Sequence, residues 1–374
     1  MVSLLKKNKS WTRVVLIFAT LAPSLAGSGE LTENYGEVPE ILGDFVLQAG
    51  DSSLAGWRLP PPSQLQTSLQ SKIDIKKSEL LVSVGRALFF DKKLSADHSR
   101  SCASCHRPEL GWSDGLPTAT GLSGAPLARA TPSLFNAVYG TIFMWDGRAS
   151  SLEEQALWPV FDPNEMGTDP EALIPRLRDD AFYRRTFAEL FPEQLINETT
   201  VATALAAFER TLVVRNTRFD QWVAGDTEAL TSAEVRGFGV FLDPNRGSCS
   251  TCHAPPNFTD DGFHNIGLRS FANEEPDLGR YNIRPVKLMR GAFKTPSLRN
   301  VALTAPYFHD GSAQTLEEVV EHYVQGGEVK DNLSPEMKES KLNEQEKRDL
   351  LAFLRSLSDG PNKSQMSSID LATD

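Results

Sequence analysis

Cysteine is scarce in this chain: four residues among 374, set in two close pairs, Cys102/Cys105 and Cys249/Cys252. No thiol is left over, so a disulfide framework is excluded as a source of stability. Histidine numbers six, and none falls between His106 and His253. The apolar run near the start, Val14 to Leu21, is too short to span a bilayer, and Pro23 ends it. No segment is rich in strand signals. Basic residues are outnumbered, 38 Lys and Arg against 49 Asp and Glu, giving a formal net charge of −11. That balance disfavours nucleic acid and suits a cationic redox partner. Apolar residues are plentiful at 40%, enough to build real cores. A chain this long exceeds what one core usually serves, so two domains are expected.

The first 26 residues read as a signal peptide. Lys6, Lys7, Lys9 and Arg13 form a basic region, Val14 to Leu21 an apolar one, and Ser24-Leu25-Ala26 a small-x-small cleavage site. The expectation is export to the periplasm with no stable membrane span after cleavage. Residues 27–75 are rich in Gly, Pro, Ser and Gln and are expected to form a loose N-terminal arm. Beyond them the fold class is mainly α. Val201, Leu205, Phe208 and Leu212 follow Thr199 at helical spacing. Thr231-Ser232-Ala233-Glu234 and Thr315-Leu316-Glu317-Glu318 read as capping boxes, and Asn343 with Glu346 as a further start. The polar stretch Val223 to Thr231 is the expected boundary between one domain at 76–225 and a second at 226–358, followed by a polar tail at 359–374. Each half carries one Cys-x-x-Cys-His near its beginning, which reads as a duplicated unit.

Those two motifs, Cys102-Ala103-Ser104-Cys105-His106 and Cys249-Ser250-Thr251-Cys252-His253, each offer two thiols and an imidazole within five residues. Thiols at this spacing add across the two vinyl groups of a haem, and the adjacent histidine faces the iron. A redox dithiol or half of a zinc site would use the cysteines but leave a histidine unexplained twice. The reading is therefore two covalently bound haems c, one per domain, in two cytochrome c-like helical domains.

With these motifs in place, the chain from Val84 to Leu357 resembles the bacterial di-haem cytochrome c peroxidase and MauG family. The resemblance is carried by Leu94-Ser95-x-Asp97, Phe143-Met144-Trp145-Asp146-Gly147-Arg148-Ala149 and Pro163-Asn164-Glu165-Met166-Gly167. It continues in Lys294-Thr295-Pro296-Ser297-Leu298-Arg299-Asn300 and Ala305-Pro306-Tyr307-Phe308-His309-Asp310-Gly311. It implies a peroxide-reactive N-terminal haem and a C-terminal haem that relays electrons. In the typical peroxidases a distal histidine covers the resting N-terminal iron. The corresponding place here, Thr120-Gly121-Leu122-Ser123-Gly124, has none, so that iron is expected to be open, as in the MauG-like branch.

The same resemblance makes Glu165 the distal carboxylate that moves a proton on bound peroxide, a role worth roughly 10²–10⁴ in rate. It makes Gln155 the pocket glutamine, places Pro159 on the same wall, and sets Trp145 between the haems as an electron route. By residue type alone, Glu165 would cap the turn after Pro163, Gln155 would be solvated and Trp145 would be plain core. Tyr323 stands where the ordinary peroxidases have a methionine ligand to the second iron. A phenolate there would favour ferric and higher states. His322 competes for that position, but adjacent helical residues point about 100° apart, so one of the two can face the iron. His98, His264 and His309 read as structural. The family also holds a calcium ion through two carbonyls and an asparagine side chain. The carbonyls match Thr304 and Pro306, but Ala130 stands at the asparagine position and leaves the set one ligand short.

The function this implies is a periplasmic di-haem peroxidase that reduces hydrogen peroxide at the His106 haem. Electrons would arrive through Trp145 and the His253/Tyr323 haem from a small redox protein. One alternative is a MauG-like enzyme that oxidises side chains of a partner protein. Another is a di-haem electron carrier with both irons saturated.

Overall fold

The computed structural model describes residues 47–62 and 75–359. The expected signal peptide and residues 360–374 of the expected tail lie outside the described residues. Nine α-helices order the described chain: α1 Ile75–Phe90, α2 Leu152–Phe161, α3 Pro170–Asp179, α4 Ala181–Leu190, α5 Glu198–Glu209, α6 Arg218–Ala224, α7 Ser232–Leu242, α8 Leu316–Val324 and α9 Glu344–Ser356. Two two-residue strands, β1 Phe263–His264 and β2 Phe293–Lys294, pair antiparallel. The fold is mainly helical, as its sequence implies.

Helix starts follow side-chain chemistry. Thr231 and Glu234 exchange hydrogen bonds at the head of α7, and Asn343 and Glu346 do the same at α9. At α8 the expected box is half formed. Thr315 accepts from the Glu318 N–H at 3.2 Å, but the Glu318 carboxylate takes the Gln314 N–H at 2.6 Å. The helix expected from Thr199 starts earlier, because Asn197 and Thr200 form the capping box of α5.

Buried apolar side chains fall into two clusters. The first joins α1 to α5 through residues such as Leu88, Leu173, Phe187 and Leu205. The second joins α6 to α9 through Phe219, Phe238, Phe241 and Phe353. The chain passes from one to the other between Leu212 and Phe219, ahead of the boundary expected at 225/226. Part of the expected loose arm is well packed. Trp57 is buried in the second cluster, 5.2 Å from the Phe238 ring and 5.0 Å from that of Phe258. A Trp and a Leu within a short 3₁₀ turn bury enough apolar area to hold residues 47–62 against the helices despite their loop-like composition.

The two clusters share a construction. Residues 131–159 match 295–323 without a gap, from Thr131-Pro132-Ser133-Leu134 and Thr295-Pro296-Ser297-Leu298 to Pro159 and Tyr323. Asn136 and Asn300 take the same left-handed backbone (φ 60° and 58°), as do Met144 and Phe308 (both 70°). Bridges pair Phe143 with Ala149 and Tyr307 with Ala313. Each half also has one very close helix crossing. A Cβ on Gly85 of α1 would fall 1.8 Å from the Ala204 carbonyl oxygen of α5. One on Gly237 of α7 would fall 1.9 Å from the Asp349 carbonyl oxygen of α9. Backbone that close cannot yield cheaply. Gly85→Ala and Gly237→Ala are each expected to lower stability by about 1–3 kcal/mol or more, read by thermal or denaturant unfolding. Gly56→Ala, with open space at its Cβ, serves as the control.

Candidate active site

Each Cys-x-x-Cys-His motif opens with one turn of 3₁₀ helix, Cys102–Ser104 or Cys249–Thr251. The histidine N–H closes the turn on the first cysteine's carbonyl at 2.9 Å in both copies. The ring Nδ1 of His106 lies 2.9 Å from the Trp112 carbonyl, and that of His253 lies 3.0 Å from the Phe258 carbonyl. A carbonyl only accepts, so the proton sits on Nδ1 and the Nε2 lone pair is free for a metal. Burial holds both imidazoles below their ordinary pKa, which keeps them neutral ligands. Burial also pushes the Cys102 and Cys105 thiols up, and the Cys249 thiol up to about 12. A redox dithiol needs the opposite shift.

Both motifs line one cavity of about 1640 Å³. A single ligand pocket is usually roughly 300–1,000 Å³, so this one has room for more than one large group. Buried polar atoms without a hydrogen-bond partner cluster on its walls: Gln155 Oε1, Glu209 Oε2 and Arg299 Nε. Such atoms are costly unless something fills the space beside them. Paired thiols, neutral imidazoles and these unpaired polar atoms fit two haems c.

The remaining expected residues come to the same cavity. Glu165 lines it, and burial raises its carboxyl pKa, with Asp162 adding to the shift and Arg148 opposing it. Glu165 does not cap the turn after Pro163, because Asp162 Oδ1 accepts the Asn164 N–H at 2.8 Å instead. Gln155 turns its carbonyl oxygen into the buried wall rather than into solvent. Trp145 donates from Nε1 to the Ala130 carbonyl at 2.9 Å, which fixes the indole. Pro159, Thr304 and Pro306 line the cavity, as does Ala130, which brings no side-chain oxygen.

Tyr323 and His322 part ways. Tyr323 faces the cavity with Leu316 and Val319, and burial pushes its phenol pKa up. The His322 ring points elsewhere and bonds to the Ile266 carbonyl at 2.9 Å. His98 is exposed. His309 lines the cavity, stacked on Phe293 with ring centroids 3.4 Å apart and edge-on to Trp145 at 6.4 Å. His264 bonds to Asp260 at 2.9 Å, which raises its pKa to about 10. Cys252, Asp260 and His264 form a triad close enough to hold a metal ion, but Cys252 belongs to the second motif.

Two features escaped the sequence reading. Arg129 bridges Asp146 at 2.8 Å and Asp277 at 2.6 Å, tying the halves together across the cavity wall. No local pattern marks it, because its partners are distant in sequence. Glu209, a carboxylate 3% exposed, also lines the cavity. It had a signal: it stands four residues after Leu205, on the apolar face of α5.

Comparison with known proteins agrees with this geometry. The family model described as di-haem cytochrome c peroxidase matches residues 79–228 and 242–359. The methylamine utilization protein MauG of Methylorubrum extorquens is 46% identical over 283 residues, 75% of this chain and 78% of that protein. The MauG of Methylophilus methylotrophus is 40% identical, covering 82% of this chain and 91% of its own length. The crystal structure of a MauG-like protein associated with microbial copper homeostasis superimposes with a TM-score of 0.73 at 34% identity, covering 80% of this chain and 93% of that one. The chain therefore belongs to the di-haem cytochrome c peroxidase family, and it is an enzyme of that oxidoreductase class.

Proposed function

We propose that the chain is a periplasmic, hydrogen-peroxide-dependent di-haem oxidoreductase of MauG-like design, with an open iron at His106 and a closed one at His253. The observation that carries this reading is the exchange at matched positions of the repeat, Pro159 in the first half against Tyr323 in the second. The side chain of proline has no donor atom to offer a metal, whereas the phenol of Tyr323 enters the cavity. No histidine at 120–124 replaces the missing ligand. The two haem units are 76 to about 212 and about 219 to 358, and the N-terminal segment directs export.

When bound, the two haems would supply the redox chemistry. The chain's own residues do the rest. His106 and His253 would hold the iron through Nε2, which the Nδ1 contacts leave free. Glu165 takes a proton from peroxide and returns it to the departing oxygen, and its raised pKa makes it a stronger base than an exposed glutamate. Gln155 Oε1 accepts a hydrogen bond from the peroxide O–H and orients it. Trp145, held by the Ala130 carbonyl, gives an aromatic path along the shared wall. Tyr323, once deprotonated, is a hard anionic donor that favours oxidised iron. With the Ala130 carbonyl engaged by Trp145 and no asparagine beside Thr304 and Pro306, calcium would bind weakly.

In this design the reducing equivalents come from side chains of a partner protein. A peroxidase fed by a small cationic redox protein is the second reading, favoured by the net charge of −11. Stopped-flow reduction of the peroxide-treated protein by partner proteins or by a basic cytochrome separates the two.

The resting ferric protein is expected to show a high-spin EPR signal from the open iron. A spectrum with two low-spin haems and no high-spin component rejects the mechanism and leaves an electron carrier. Tyr323→Phe is expected to alter the low-spin signal of the second haem, and an unchanged signal removes Tyr323 as its ligand. Glu165→Gln should slow the reaction with peroxide about 10²–10⁴-fold with haem content unchanged.

A further inference from the structure

Glu209 has no part in the chemistry above, yet it sits where burial disfavours a charge. Its side chain is buried, its Oε2 has no partner, and it opens on the cavity close to Cys102. The repeat shows that the position does not demand a carboxylate. The two close crossings, Gly85 on Ala204 and Gly237 on Asp349, make Ala204 of α5 and Asp349 of α9 equivalent positions. Counting on from each, Ala207-Phe208-Glu209-Arg210-Thr211-Leu212 falls on Ala352-Phe353-Leu354-Arg355-Ser356-Leu357. The flanking ion pairs repeat as well, Arg210 with Glu153 and Arg355 with Glu317. Leu354, the counterpart of Glu209, also lines the cavity and is buried. One scaffold thus carries an apolar side chain at the second site and an unpaired carboxyl at the first.

We propose that Glu209 is the proton-holding group of the N-terminal haem, binding a proton from solvent when that haem gains an electron and releasing it when the electron leaves. This rests on the reading that a haem is attached at Cys102 and Cys105. One electron from an external one-electron reductant enters the iron, one proton enters the carboxylate, and the net charge of the low-dielectric site is unchanged. Both charges otherwise act over a short distance with little screening. The surrounding charges leave this role to Glu209. Arg210 and Glu153 neutralise each other at 2.7 Å, Arg86 of α1 lies over the Phe90 ring, and the Cys102 thiol no longer titrates once it is a thioether. Burial raises the Glu209 pKa to about 8, with Arg210 opposing and Glu153 adding to the shift. The proton is therefore exchangeable near neutral pH.

The test is a spectroelectrochemical titration of both haems in the intact protein as pH is varied across 8. The midpoint potential of the N-terminal haem should fall as pH rises. In the fully coupled limit the reduced-to-oxidised ratio changes tenfold per pH unit, about 59 mV for one electron. Glu209→Gln, and Glu209→Leu, which installs the second half's residue, should flatten that dependence while the C-terminal haem keeps its own profile. A wild-type potential already flat in this range overturns the proposal, as does a Gln variant that still follows pH. If the variants fail to fold, the redox-difference infrared spectrum of the wild-type protein decides. A carboxylic acid C=O band must appear on reduction of the N-terminal haem, and its absence counts against Glu209. A mass showing no haem on Cys102 and Cys105 would instead defeat the underlying reading.

Discussion

Two backbone carbonyls hold the site in place. Trp112 and Phe258 accept the Nδ1 protons of His106 and His253, and both take the left-handed backbone, with φ of 60° and 56°. That conformation is strained for a bulky residue and costs on the order of 1–3 kcal/mol. It persists because each side chain is locked into a hydrophobic cluster. Trp112 packs edge-on against Phe89 at 5.8 Å in the first, and Phe258 is fully buried against Phe219 at 5.3 Å in the second. The cores therefore do more than stabilise the chain. They turn a carbonyl back toward an imidazole, select its tautomer and leave Nε2 open to the cavity.

With the same device built twice, function has to come from the few side chains in which the copies differ. Along 131–159 and 295–323 the helix starts, turns and left-handed residues coincide. Even the incomplete capping boxes agree: Glu154 takes the Ser150 N–H and Glu318 the Gln314 N–H. Against that background Pro159 is matched by Tyr323, Gln155 by Val319, Trp145 by His309 and Glu209 by Leu354. All eight line the cavity. A shared scaffold fixes where a side chain points, so these exchanges change the chemistry of each site with little change in fold.

The helical class, the attachment motifs and three of the capping residues were legible because they rest on local rules: period, spacing and hydrogen bonding three residues apart. The choice of Tyr323 over His322 was half legible. Helix geometry allowed one of the two to face inward, but the Ile266 carbonyl that claims His322 lies 56 residues away in sequence. The packing of Trp57 was hidden for a similar reason, since its partners are far along the chain and its own segment looks like loop. The gapless repeat could have been found by comparing the halves directly. Its identities are sparse, and its meaning lies in left-handed positions that a sequence does not display.

The electrostatics of the cavity follow the same division. Across the wall joining the halves, charges are paired: Arg129 with Asp146 and Asp277, and Arg148 with Asp146. Paired ions hold their protonation states over a wide pH range and behave as fixed structure. Beside the second motif His264 is likewise bound to Asp260. The first site departs from this rule. Glu165 and Glu209 are both raised by burial, and neither is ion-paired among the described residues. A low-dielectric pocket tolerates a carboxyl without a cation chiefly in its neutral form. Both stand in the first half; in the second, Leu354 takes the place of Glu209 and Tyr323 enters the cavity from α8. The repeat thus sets two buried carboxyls beside the first motif against a phenol and an apolar side chain beside the second.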